Sequence, residues 1–140
     1  MLQIIVDTNV LVAGLRSSRG ASYKLLTMLN DERWQLNIST PLALEYEEVL
    51  KRESVSLGLS VEDIDDLVDG LCAIANKRNL FYSWRPMAKD ADDDFIIDLA
   101  VESQADFIVT YNQRDLQPAE IFGIMVVSPK QFLQIVGEIA

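Results

Sequence analysis

No histidine occurs anywhere in the 140 residues. That excludes Ser-His-Asp and Cys-His catalysis, histidine acid–base pairs and histidine-ligated metals, so any catalysis must use other side chains. The single cysteine, Cys72 in "LVDGLCAIA", cannot form an internal disulfide, and its apolar helical setting predicts a buried core thiol. No apolar run approaches the roughly 20 residues that a membrane-spanning helix needs. The opening "MLQIIVDTN" lacks the basic segment, apolar region and small-residue cleavage site of an export signal, so we expect a soluble, cytoplasmic protein with no membrane partner. Positive charge is also scarce. Against 12 Lys and Arg stand 22 Asp and Glu, and a net charge of −10 by itself argues against a polyanionic ligand.

What is present suits one domain spanning residues 1–140, long enough to bury a sizeable core. Short β-branched runs at 2–6, 35–39, 80–83, 106–110 and 124–128 read as strands, mostly apolar on both faces. Helical patterns fall at about 9–16, 20–30, 40–52, 60–78, 92–103 and 128–138. Pro41 and Pro129 suit first-turn positions, and Ser60 with Asp63 forms a plausible capping box. The segment "SWRPMAKDADD", 83–93, reads as a loop. Strands buried on both sides and alternating with helices predict an α/β fold with a mostly parallel central sheet of about five strands flanked by helices.

In such a sheet, ligands bind beyond the carboxyl ends of the strands. Asp7 immediately follows the first strand, Asn112 follows the fourth, Glu45 lies in the helix after the second, and Asp92, Asp93 and Asp94 open the helix before the fourth. Four segments can thus bring oxygen ligands to one edge. Gathered carboxylates repel unless a cation offsets them, and an all-oxygen set favours Mg²⁺ or Mn²⁺. Such an ion activates water towards a phosphodiester without histidine. Each residue also has a plainer reading: Asp7 as a helix cap, the Asp92–Asp94 run as a favourable helix start, and Glu45 with Glu47 and Glu48 as a solvated face. Asp63, Asp65, Asp66, Asp69 and Asp98 are expected in solvent.

"VDTNVL" and "DDDFIIDLA...ADFIVTYN", together with "STPLALEYEEVLKR" and "IMVVSPKQFL", resemble the PIN domain, the nuclease fold of VapC-type toxin ribonucleases. The likeness runs through nearly the whole chain and is nearest to the toxin components of toxin–antitoxin systems. It implies a three-layer PIN-like fold, a Mg²⁺- or Mn²⁺-dependent endoribonuclease, an RNA substrate, a cognate antitoxin and a homodimer. By position, it implies that Asp7, Glu45 and Asp93 are the catalytic acids, with Asp92 or Asp94 sharing or replacing the third. Where many members have T-x-D, this chain has Thr110-Tyr111-Asn112, a departure that leaves a neutral oxygen and one less negative charge. Asp115, one turn later, is placed to compensate. Asn9 and Thr110 are expected to orient Asp7 and a water, or to make ordinary turn hydrogen bonds.

Arg16, Arg19, Lys24 and Arg114 are candidate phosphate contacts at the same edge or plain surface charges, and Tyr111 is expected to be partly buried rather than a stacking platform. Two rivals remain open. One is a catalytically weakened PIN-fold module that binds RNA or protein; the more remote is a phosphatase-like or receiver-like domain with Asp7 as nucleophile.

Overall fold

The computed structural model describes residues 1–78 and 91–140, and of 91–94 the backbone alone. The chain opens with β1 (Leu2–Val6), α1 (Thr8–Arg16), α2 (Ala21–Thr27), β2 (Trp34–Ser39) and α3 (Thr40–Arg52). There follow α4 (Ser54–Leu57), α5 (Val61–Ile74), β3 (Asn76–Arg78), α6 (Ala91–Glu102) and β4 (Phe107–Val109). The last elements are α7 (Gln113–Leu116), a 3₁₀ turn (Gln117–Phe122), β5 (Met125–Val127) and α8 (Pro129–Ile135).

Among the described residues the four strand pairings are parallel, in the order β3-β2-β1-β4-β5. The chain moves outward from β1 to β2 and β3, then returns to the other side of β1 for β4 and β5. With right-handed crossovers, that reversal sends α1–α5 to one face of the sheet and α6, α7 and the 3₁₀ turn to the other. The packing agrees: α1, α2 and α8 lie together, α3 packs on α5, and α6 packs on β1 and β2. The result is the expected three-layer α/β arrangement. At the β1/β4 boundary, connections leave in opposite directions and open a crevice at the carboxyl ends of the strands.

The sheet is buried because its strands are apolar on both faces. Ile4, Ile5, Val6, Ile108 and Val109 are fully enclosed and join Leu36, Leu42, Leu50 and Phe132 in one cluster. Phe132 meets Trp34 and Phe107 edge-on, with centroids 5.2 and 5.3 Å away. Helix starts follow their local chemistry. Ser60 and Asp63 form the expected capping box, and Ser128 with Gln131 forms a second. Gly14 permits close contact of α1 with α2, since a Cβ there would lie 2.5 Å from Leu26 Cδ1 and 3.1 Å from the Ser22 carbonyl.

Several expectations need correction. The helix read across 60–78 stops at Ile74, and Asn76–Arg78 instead pairs with β2. This polar strand has no apolar alternation to signal it; the Arg78 Nε–H donates to Asn37 Oδ1 at 3.3 Å, a partner supplied only by the sheet. The strand read at 80–83 lies outside the described residues, as does most of the 83–93 loop; residues 91–93 belong to α6. Asp98, expected in solvent, is buried, because α6 packs Ile96, Ile97, Leu99 and Ala100 into the core on several sides. Cys72 is half-buried at the core margin rather than enclosed. Asp63, Asp65, Asp66 and Asp69 are exposed as expected, with Asp65 3.1 Å from Lys51.

Candidate active site

Asp7 is fixed before any ligand is considered. Its backbone N–H extends the β1–β4 pairing by donating to the Val109 carbonyl at 2.9 Å, and the chain then turns into α1. Oδ1 accepts the Thr8 N–H at 2.8 Å, so Asp7 is indeed a helix cap. Oδ2 accepts the Thr110 hydroxyl at 2.7 Å and the Asn9 side-chain amide at 3.3 Å. Thr110 is fully buried, and its oxygen in turn accepts the Asn112 N–H at 2.8 Å. The Asn9 side-chain Oδ1 accepts the Tyr111 N–H at 3.2 Å. The turns after β1 and β4 are therefore tied to each other through one carboxylate, and capping accounts for only one of its oxygens.

Glu45 reaches the same crevice from α3. Ser39 starts that helix by accepting the Leu42 N–H at 3.3 Å, with Pro41 in the first turn. One residue beyond Glu45, the enclosed Tyr46 donates its hydroxyl proton to the Val6 carbonyl, which holds α3 against the end of β1. Glu45 Oε2 accepts the Thr8 hydroxyl. An open cleft of about 520 Å³ results, whose described lining includes Asp7, Thr8, Asn9, Arg16, Glu45, Glu53 and Asn112.

Burial raises the Asp7 carboxyl above its ordinary 3.8, and the hydrogen bonds from Thr110 and Thr8 only partly offset that shift. Tyr46 lies well above the ordinary phenol range, chiefly through burial and then through the Asp7 and Glu45 charges, so it remains a neutral donor. The donors in the cleft are oxygens of Asp7, Glu45 and Asn112, a set that fits a hard divalent cation, and a cation here would relieve the desolvated carboxylate. Among the described residues, no three acidic or thiol side chains form a metal-holding group. Asp92, Asp93 and Asp94 begin α6, but their side chains lie outside the described residues.

The positive candidates separate. Arg16 lines the cleft while its guanidinium pairs with Glu53 at 3.3 Å. Arg19 and Lys24 line a different groove, described below, and Arg114 and Asp115 sit on α7 outside the described lining of the cleft. Tyr111, expected to be partly buried, is 53% exposed, with its hydroxyl 2.5 Å from Ser22 Oγ. Three participants went unselected in the sequence: Thr8, Tyr46 and Glu53. Thr8 lies inside "DTN", and Glu53 follows Glu45 at a spacing close to two helical turns, so both carried a signal. Tyr46 carried none beyond being apolar.

No curated protein matches this chain. A chain in the crystal structure of VapBC2 from Rickettsia felis bound to a DNA fragment from their promoter has a similar fold, with a TM-score of 0.58. The two are 14% identical, and the alignment covers 91% of this chain and 98% of that one. The PIN-domain family model matches residues 3–114, from within β1 to the first turn of α7. PIN domains as a family are nucleases and generally use divalent metal ions. With this match over most of its length, the chain belongs to the PIN-domain family.

Proposed function

We propose that this protein is a Mg²⁺- or Mn²⁺-dependent endoribonuclease that hydrolyses RNA phosphodiester bonds and serves as the toxin of a type II toxin–antitoxin pair. One observation carries the reading: Asp7, buried and held by Thr110, Asn9 and the Thr8 N–H, lines an open cleft with Glu45 and Asn112. Asp7, Glu45 and Asn112 would hold the metal together with Asp93, or with Asp92 or Asp94 in its place. A bound divalent ion supplies Lewis acidity at the phosphoryl oxygen and a more acidic water.

The protein's own residues do the positioning. Thr110 and Asn9 fix the direction of the Asp7 carboxylate, while Thr8 holds Glu45 through its hydroxyl. Asn112 contributes a neutral oxygen, so the site carries one negative charge fewer than a T-x-D arrangement and opposes a polyanionic substrate less. The acidic whole-chain charge is then no obstacle, because substrate meets the local field of the cleft and its surroundings. A cognate antitoxin that covers the cleft, a homodimeric assembly and a cytoplasmic location complete the reading. The fold shared with a chain of the VapBC2 structure supports the antitoxin part.

The test is cleavage of a mixed RNA substrate in Mn²⁺ by wild type and Asp7→Asn, with EDTA as control. Metal-dependent cleavage that disappears in the variant supports the reading; an unchanged rate in Asp7→Asn rejects the site. Asn112 favours a second reading, a catalytically weakened module that binds RNA or protein. RNA binding without metal, combined with no cleavage in Mn²⁺, would select it.

A further inference from the structure

The net charge of −10 is unevenly distributed. Four described cations, Arg16, Arg33, Lys51 and Arg52, pair with carboxylates. Among the described residues Lys77, Arg78 and Arg114 have no ion pair, and neither do Arg19, Lys24 and Lys130; these last three meet along a groove of about 460 Å³ between α2 and α8 whose described lining contains no carboxylate residue. Arg19 and Lys130 are exposed, and the half-buried Lys24 donates to the Glu138 backbone carbonyl at 3.2 Å. Leu133 and Ile139 contribute apolar lining, and Tyr23, 43% exposed, stands beside the cations.

One hydrogen bond ties the wall of this groove to the turn that bears Asn112. Ser22, between the lining residues Ala21 and Tyr23, shares a hydrogen bond with the Tyr111 hydroxyl, and Tyr111 precedes Asn112 of the cleft. Two exposed tyrosines stand here, Tyr23 in the groove lining and Tyr111 next to Asn112 in sequence. Unpaired cations that follow a backbone, interleaved with exposed aromatic faces, are the combination that binds single-stranded nucleic acid.

We infer that the Arg19–Lys24–Lys130 groove holds the phosphate backbone of single-stranded RNA, with Tyr23 and Tyr111 stacking bases as the strand leads into the Asp7 cleft. This rests on the ribonuclease reading and adds to it the surface that captures the substrate. It also resolves the charge conflict: RNA is attracted by a basic groove beside the catalytic acids rather than by the protein as a whole.

The experiment is fluorescence anisotropy of a labelled single-stranded RNA 12-mer in EDTA, where hydrolysis is suppressed, over a range of NaCl concentrations. Wild type is compared with Arg19→Glu, with the double variant Arg19→Glu/Lys130→Glu, and with Lys77→Glu, an exposed charge reversal on β3 at the opposite edge of the sheet. Among the described residues Arg19 and Lys130 have no ion partner to lose, so unchanged melting temperatures are expected. The double variant should bind at least about tenfold more weakly, and its salt slope should fall by about 1.4, two phosphate contacts on a single strand. Lys77→Glu should bind like wild type.

Wild-type binding with no change in the double variant overturns the groove and leaves the ribonuclease reading intact. Equal weakening by Lys77→Glu and Arg19→Glu also overturns it, since net charge would then suffice. A wild type that neither binds RNA in EDTA nor cleaves it in Mn²⁺ overturns the ribonuclease reading and the groove with it.

Discussion

At the acidic cleft, Asp7 is 6% exposed and Thr110 behind it not at all; in the groove, Arg19 and Lys130 stand in solvent without ion partners among the described residues. The cleft is built by tertiary constraint. Its carboxylate is desolvated, hydrogen-bonded to two separate turns and held in one orientation, the condition under which a charged group acts on chemistry. The groove is built by proximity alone, and its cations are suited to capture, which tolerates imprecise placement but weakens with salt. Substitutions in the cleft should therefore alter rate and metal binding, and those in the groove affinity for RNA.

Asp7→Asn is the strongest way to break this contrast. It should lower RNA cleavage in Mn²⁺ by about a hundredfold or more while leaving RNA binding in EDTA close to wild type, as comparison of single-turnover rates with anisotropy would show. A parallel loss of both would mean that cleft and groove are not separable.

Thr110→Val tests whether orientation matters apart from charge. It removes the 2.7 Å hydrogen bond to Asp7 with little change of volume, and should reduce Mn²⁺ affinity or turnover by about 10–100-fold. Calorimetric titration of Mn²⁺ alongside turnover checks this, and a variant with wild-type values for both would make Thr110 a packing residue only.

Tyr46→Phe probes the frame behind the cleft. Losing the hydroxyl leaves the Val6 carbonyl without that donor and should destabilise the protein by about 1–3 kcal/mol, read by urea unfolding. RNA affinity of the groove should not change.

The pH response sharpens the same contrast. Asp7 has a folded-state pKa above its unfolded value, so between the two the native state binds more protons. Its contribution to stability is present in full below the unfolded value near 3.8 and is lost as pH rises through the folded value. Metal-free Asp7→Asn should therefore lose less stability than wild type over that rise, as urea midpoints at successive pH values would show; identical curves would mean that Asp7 is not desolvated. The smallest effect is expected for Glu53→Gln. The Arg16–Glu53 pair lies on the exposed lip of the cleft and should contribute no more than about 1 kcal/mol.

Much of this was legible because it is local. Apolar runs such as Ile4–Val6 and Phe107–Val109 need no partner to read as strands, and capping at Ser60 depends on residues only three apart. Asp7, Glu45 and Asn112 were identifiable from their places after strands or on the following helix, and they do line one cleft. Asp98 misled because a carboxylate ordinarily marks the wet side of a helix, whereas α6 is enclosed on most sides. The strand Asn76–Arg78 misled because its stability comes from pairing with β2 and not from its own side chains.

By itself, then, the amino-acid order determined the alternation of strand and helix, the absence of histidine chemistry and the positions of the acids along the chain. These follow from composition and short-range pattern. Of the two sequence readings of Thr110, only the tertiary structure decided that its hydroxyl reaches Asp7, 103 residues away, and only it showed that Arg19, Lys24 and Lys130 share a groove. The physical reason is the reversal of strand order at β1 and β4, together with the packing of α8 on α2, which joins distant segments that no local pattern connects.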